Sequence, residues 1–296
     1  MERGQGCQSY PEKRAFVKQG QRVAPLDAPS RFLYLSRVTS RPFLAVVHYD
    51  GAQFVGWQRQ AKGRTVQAEF EEVLARLLGH RTTATGAGRT DTGVHALGQA
   101  VGFATDDRWA GDVSGLKRAL NALLPRDVWV ERVHAMRPGF HARTSAMARR
   151  YRYVIGTDEA CRSPFRRPYE WALGRPLDLD GLTRAAAGLA GEHSFRGLAM
   201  AGASRPDYRC RVALAQWAPR ADGAGVTFEI EADRFLHRMV RFLVGLMVDI
   251  ALGRRPPSDL STLLAAADNQ AASPPAPPQG LYLAAVRYPP DLYAEA

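Results

Sequence analysis

The chain has little cysteine and no long apolar segment. Its three cysteines, Cys7, Cys161 and Cys210, lie far apart and are odd in number, so the sequence predicts neither a disulfide framework nor a CxxC metal site. The most apolar helix candidate, residues 242–248, is bounded by charged residues and is far shorter than the roughly 18 residues that span a bilayer. We therefore expect a protein of a reducing compartment with no membrane segment.

The start of the sequence lacks the apolar core of a secretory signal peptide. Its acidic residues, Glu2, Glu12 and Asp27, are also unusual for an organelle transit peptide. Residues 1–41 are predicted to be a disordered extension. The expected location is the cytoplasm, and import into an organelle is left open because of this extension.

The sequence contains far fewer lysines than arginines, and fewer acidic than basic residues. The chain has 40 basic and 29 acidic residues, a net charge of +11 and a pI near 10, and only four of the basic residues are lysine. A GC-rich genome also produces an arginine bias, so the position of the charge is more informative than its total. The surplus favours a polyanionic partner such as nucleic acid.

One segment, residues 137–167, concentrates this charge. It contains eight arginines and only two acidic residues, with aromatic residues between them. One interpretation is a solvated charged face. The other is an RNA-binding face, on which arginines contact phosphates and aromatic rings stack on unpaired bases. Arg149, Arg150 and Arg152 are the candidate phosphate contacts.

Apolar periodicity predicts alternating strands and helices in two halves, 42–147 and 148–296. The first half has expected strands at 43–51, 96–105 and 127–136 and expected helices at 65–79 and 113–124. The second half has expected strands at 150–157, 208–219, 225–233 and 280–288 and expected helices at 178–191 and 235–253. Strands with hairpin-like neighbours favour an α+β fold over a doubly wound parallel one.

The stretch "GAGRTDTGVH" at 86–95 places a single carboxylate, Asp91, among glycines. The sequence fits neither a dinucleotide-binding fingerprint nor a P-loop, because the third glycine and the Lys-Ser/Thr pair are absent. Asp91-Thr92-Gly93 matches the tripeptide of aspartic proteases, but the second such tripeptide that those enzymes need is missing. Taken alone, Asp91 would be interpreted first as a turn or capping residue.

A longer match gives Asp91 a chemical interpretation. "GRTDTGVHALGQ" at 88–99 resembles the active-site motif of the TruA-type tRNA pseudouridine synthases, with Thr92 where many members have alanine. The resemblance extends over about residues 42–290. Its other blocks are "YDGAQFVGWQRQ" at 49–60, "FHARTSAMARRYRY" at 140–153, "FLHRMVRFLVG" at 235–245 and "GLYLAAVRY" at 280–288.

The resemblance implies a fold and an activity. The fold would be the α+β pseudouridine synthase fold, with two ferredoxin-like halves whose antiparallel or mixed sheets join across a central catalytic cleft. The activity would be isomerisation of uridine to pseudouridine in tRNA, at about positions 38 to 40 of the anticodon stem-loop, by a homodimer that needs no cofactor and no metal. The alternative is a noncatalytic RNA-binding protein that retains this fold.

The same resemblance assigns the site residues. Asp91 would be the catalytic carboxylate, and Arg241 or Arg89 would form an ion pair with it or hold the substrate and the flipped-out base. Tyr151 would pack on the target base. With tRNA as the partner, Arg149, Arg150 and Arg152 of the charged segment 137–167 would contact its phosphates.

Overall fold

The computed structural model describes residues 41–200 and 207–294. The predicted extension lies outside these residues except for Arg41, which begins the first strand. The described residues belong to one compact unit. Its strands are β1 (Arg41–Tyr49), β2 (Thr85–Gly86), β3 (His95–Thr105), β4 (Val128–Ala135), β5 (Ala148–Gly156), β6 (Trp171–Ala172), β7 (Gly191–Ser194), β8 (Arg209–Pro219), β9 (Gly225–Ala232) and β10 (Leu281–Arg287). Its α-helices are α1 (Val66–Leu78), α2 (Val113–Leu123), α3 (Leu179–Ala187), α4 (Met239–Ala251) and α5 (Asp259–Leu264).

These strands form one open mixed sheet that runs through both parts of the chain. The strand order is β4-β1-β3-β10-β5-β9-β8-β7, with β2 beside β3 and β6 beside β5. The pairs β3 with β10 and β5 with β6 are parallel, and the other pairs are antiparallel. The predicted α+β class with a mixed sheet is confirmed.

Local sequence signals account for the ends of the helices. The Thr65 side chain accepts a hydrogen bond from the Ala68 N–H at the start of α1, and Gly79 adopts a left-handed φ of 77° at its end. Asp112 caps α2 by accepting from the Gly115 N–H, and Pro125 follows its last turn. The predicted boundaries of both helices therefore agree with the structure to within a residue or two.

Helix α4 begins later than the helix predicted at 235–253. It starts at Met239, because Arg238 before it adopts a left-handed φ of 60°. Arg238 is the only non-glycine residue with positive φ among the described residues. Such a conformation costs on the order of 1–3 kcal/mol and is a feature of functional sites.

The core is continuous between the two predicted halves. One hydrophobic cluster contains Phe43 and Leu74 from the first half together with Tyr153, Phe228 and Leu243 from the second. The strand β10 connects the halves through the sheet, because Leu283 pairs with Ala96 on one side and with Tyr151 on the other. The start of β3 and the middle of β5 therefore lie one strand apart.

Candidate active site

A cleft of about 900 Å³ lies over this junction. The loop that precedes β3, the strand β5 and the segment that leads into α4 all contribute to its walls. The four residues assigned to catalysis or substrate binding from the sequence all line it. They are Arg89, Asp91, Tyr151 and Arg241.

Asp91 contacts two nitrogen-bearing side chains from one short segment. Its Oδ2 lies 3.3 Å from Nη1 of Arg241 on α4, and its Oδ1 lies 3.3 Å from Nε2 of His237 just before that helix. The Asp91 side chain is 22% exposed and that of Arg241 is 11% exposed, whereas His237 is 52% exposed. The carboxylate thus joins residues 150 positions apart in the sequence, within reach of solvent.

Arg241 is itself held in place from the opposite side. Its Nε donates to the carbonyl of Ala276 at 2.7 Å, and the Ala276 N–H donates to the Arg241 carbonyl at 2.9 Å. A guanidinium fixed in this way presents its remaining donors in a set direction. Its positive charge stabilises the negative charge of Asp91 in the partly buried cleft.

Two tyrosines of β5 share a face, and only one of them reaches the cleft. Tyr151 lines the cleft and packs edge-to-face on Phe235, with 4.9 Å between the ring centroids. Burial raises the pKa of its hydroxyl, with nearby Tyr49 and Asp91 adding to the effect. Tyr153 is fully buried and donates to the carbonyl of Pro277 at 2.7 Å. The structure therefore separates two residues that the strand period alone leaves equivalent.

Arg89 lies at the exposed side of the cleft. Its side chain is exposed and has no ion-pair partner among residues 41–200 and 207–294. Arg143 is likewise exposed, lines the cleft and has no carboxylate partner in the described part of the chain. The donors of these two guanidiniums are therefore available to an incoming ligand.

The three arginines assigned to phosphate contacts all have partners inside the protein. Arg149 donates to the carbonyls of Ala87, Arg143, Ala146 and Asp233, and burial lowers its pKa.

The other two arginines lie on the opposite face of β5. Arg150 pairs with Glu231 at 2.8 Å and Arg152 with Glu229 at 2.9 Å, each directly across the strand pair. Their side chains alternate with those of Tyr151 and Tyr153 along the strand. The phosphate role of these arginines stays a prediction.

His237 is the contact of Asp91 that the sequence assignment left out. It occurs in a matched block, but a single histidine is most often structural. Its position four residues before Arg241 was a usable signal, because residues at this spacing face the same side of a helix. The segment does not begin as a helix at His237, yet both side chains reach Asp91.

Within residues 41–200 and 207–294, no three histidine, cysteine or acidic side chains are arranged so that they could hold a metal ion. No described helix has the length and apolar character that crossing a membrane requires.

The sequence matches a family described as "tRNA pseudouridine synthase" over residues 45–144 and 185–289. These ranges include Asp91 and Arg241.

Relatives named tRNA pseudouridine synthase A match most of the chain. The protein of Geobacillus kaustophilus is 41% identical over 254 residues, which is 82% of this chain and 93% of the relative. The protein of Pseudothermotoga lettingae is 39% identical over 83% of this chain and 99% of the relative. The protein of Burkholderia mallei is 42% identical over 82% of this chain and 88% of the relative.

Proposed function

This chain belongs to the tRNA pseudouridine synthase family, and from that premise we propose that it isomerises uridine to pseudouridine in the anticodon stem-loop of tRNA, at about positions 38 to 40. The observation that carries the proposal is the Asp91 carboxylate, which faces an open cleft 3.3 Å from the Arg241 guanidinium with Tyr151 in the same cleft.

The reaction is balanced without any redox change. The bond from the ribose C1′ to N1 of uracil breaks, the base turns, and a bond from C1′ to C5 forms. The proton of C5 leaves to solvent and N1 gains a proton. This isomerisation therefore requires no cofactor.

Asp91 is the group proposed to act on the sugar. Cleavage of the glycosidic bond develops positive charge on the ribose, and a carboxylate can stabilise that charge, capture it covalently or remove a ribose proton. All three routes use Asp91 as a carboxylate, and the Arg241 guanidinium lies 3.3 Å from it. Tyr151 is proposed to pack on the detached base, and its neutral hydroxyl can assist proton transfer at C5.

The substrate base has to leave its helix to reach this carboxylate. Extrusion of a base costs a few kcal/mol, which stacking and phosphate contacts offset. Arg89, exposed at the cleft, is proposed to hold the substrate and the flipped-out base. We also propose that Arg149, Arg150 and Arg152 contact phosphates. Each of these arginines would then bind RNA while it keeps its partner inside the protein. We propose that the active form is a homodimer, which would clamp one tRNA across two subunits.

The test uses the purified full-length chain and tRNA that carries tritium at C5 of uridine. We expect release of tritium, and sequencing should place pseudouridine at about positions 38 to 40 of the anticodon arm. Modification confined to the D-loop or to ribosomal RNA would contradict the proposed substrate. tRNA binding without tritium release would instead support the noncatalytic RNA-binding alternative. Sedimentation equilibrium of the same protein tests the dimer.

A further inference from the structure

A fully buried glutamine lies beneath the loop that carries Asp91. The Gln99 side chain on β3 is inaccessible to solvent. Its Nε2 donates to the Gly88 carbonyl at 2.8 Å, and its Oε1 accepts from the Gly88 N–H at 3.4 Å. Since a buried amide without partners costs about 1–3 kcal/mol, this two-sided contact fixes Gly88 on the strand.

A buried tyrosine holds the same loop closer to the carboxylate. The Tyr49 hydroxyl and Thr90 Oγ1 are hydrogen-bonded at 2.7 Å, and both residues are buried. Gln99 Nε2 also lies 3.5 Å from the Tyr49 hydroxyl, so the two contacts form one polar group under the loop. Burial raises the pKa of Tyr49, which therefore stays protonated. Thr90 immediately precedes Asp91.

The backbone of the loop rests on the segment that follows β1. The Trp57 N–H donates to the Thr90 carbonyl at 3.1 Å, and the Gly93 N–H donates to the Phe54 carbonyl at 3.3 Å. Asp91 thus lies between two anchored backbone positions. The remaining freedom of the loop is set by its side-chain anchors.

We infer that Gln99 and Tyr49 are positioning residues that hold the Asp91 carboxylate against Arg241, through Gly88 and Thr90 respectively. The inference rests on the proposed function. Neither residue lines the cleft, so neither touches substrate. Their effect is geometric: Arg241 is fixed from its own side by Ala276, and a displacement of the loop by about 1 Å would move Asp91 out of its attacking position at a cost of up to about 100-fold in rate.

The kinetic test compares Gln99→Met and Tyr49→Phe with a matched control, Tyr288→Phe. The control also removes a buried tyrosine hydroxyl, but that hydroxyl donates to the Ala142 carbonyl and not to the Asp91 loop. Rates are expressed per tRNA-binding site, so that a smaller folded fraction does not imitate slower chemistry. We expect Gln99→Met to lower kcat by about 10- to 100-fold with KM within about twofold of wild type. Tyr49→Phe should cause a smaller loss of the same kind, and Tyr288→Phe should keep the wild-type kcat.

A double variant tests whether the two residues act through one loop. If they do, Gln99→Met combined with Tyr49→Phe loses less than the product of the two single effects. Independent, multiplicative effects would contradict the shared role. A rise in KM with unchanged kcat would contradict positioning altogether.

A readout without catalysis separates this inference from the proposed function. Hydrogen exchange of a peptide covering residues 86–95 should accelerate in Gln99→Met and in Tyr49→Phe, while peptides from α3 and α4 keep wild-type protection. Unchanged exchange at 86–95 in both variants would overturn the inference. A wild-type protein that protects this peptide but forms no pseudouridine would overturn the proposed function alone.

Discussion

Asp91 is engaged on both carboxylate oxygens, and its two partners differ in exposure. Arg241 is nearly buried and fixed by the Ala276 carbonyl, whereas half of the His237 side chain is open to solvent. Arg241 therefore has the stronger electrostatic interaction with Asp91, because a buried pair is screened less by water and salt. At this scale the chemistry depends on a single negative charge.

Removal of that charge gives the sharpest prediction for a single residue. Asp91→Asn keeps the size of the side chain and loses the charge that the sugar cation or covalent adduct needs, so turnover should fall by many orders of magnitude. Binding of tRNA should change little, since it depends on other residues. Tritium release and filter binding on the same preparation measure the two effects. Wild-type turnover by Asp91→Asn would remove Asp91 from the mechanism.

The element that supports the Asp91 loop has a steric requirement. Gly56 adopts a φ of 109°, and a Cβ at this position would lie 2.6 Å from the Thr90 carbonyl oxygen. Glycine is the only residue that combines this backbone conformation with so close an approach. The turn after β1 therefore fits against the loop because a side chain is absent.

Gly56→Ala should lower the free energy of unfolding by more than the strain of a left-handed residue, which is about 1–2 kcal/mol, and should also reduce kcat. Gly223→Ala is the matched control, since Gly223 has a φ of 68° and no atom within 4 Å of an added Cβ. Urea unfolding of both variants separates strain from steric overlap. If both variants lose the same free energy of unfolding, the Asp91 loop moves away from the added Cβ without a measurable energetic penalty.

A buried histidine at the start of β3 makes stability depend on pH. His95 Nδ1 accepts from the Gly51 N–H at 3.0 Å and also lies 3.2 Å from Oδ1 of Asp50. Nε2 lies 3.1 Å from the Pro168 carbonyl, to which it donates in the neutral tautomer with an unprotonated Nδ1. Burial lowers its pKa below the usual 6.5, against a smaller opposing effect of Asp50. As the pH falls below about 6.5, the unfolded chain takes up a proton that the folded chain resists.

We therefore expect the contribution of His95 to stability to be present above pH 6.5 and lost progressively below it. Urea midpoints at pH 7.5, 6.5 and 5.5 should decrease for the wild type and decrease less for His95→Gln, which cannot titrate. If the urea midpoints of the two proteins decrease equally with pH, other groups cause the pH dependence.

At the scale of the molecule, the arginine surplus is divided between internal pairs and available charges. Arg150 and Arg152 are neutralised by glutamates on β9, while Arg89 and Arg143 line the cleft with no carboxylate partner in the described ranges. The number of arginines therefore overstates the positive charge that is available to RNA. Counterion release should reflect only the contacts that form.

The salt dependence of tRNA affinity measures this difference. Arg89→Ala with Arg143→Ala should reduce the slope of log affinity against log salt by about two counterions. Arg150→Ala with Arg152→Ala should reduce it by less, because each guanidinium already has a partner. Filter binding from low to moderate salt gives both slopes. If both double variants reduce the slope by about two counterions, RNA displaces the glutamates from Arg150 and Arg152.

Much of the fold was readable from local patterns. Apolar periodicity predicts α1, α2 and the long strands, since this signal acts within one helix or one strand. The short strands β2, β6 and β7 and the helix α5 were not predicted. Each has six residues or fewer, so their formation depends on neighbours that the pattern does not contain.

By itself the sequence determined the family and the identity of the candidate site residues, because the motif around Asp91 and the block with Arg241 are contiguous strings. Only the tertiary structure decided which groups meet. It placed β10 between β3 and β5, brought His237 to Asp91 and enclosed Gln99 under the loop. It also gave Arg150 and Arg152 glutamate partners on β9. Most of these contacts join residues far apart in the sequence. They form because burial of one shared core fixes strand order and register, which no local pattern encodes.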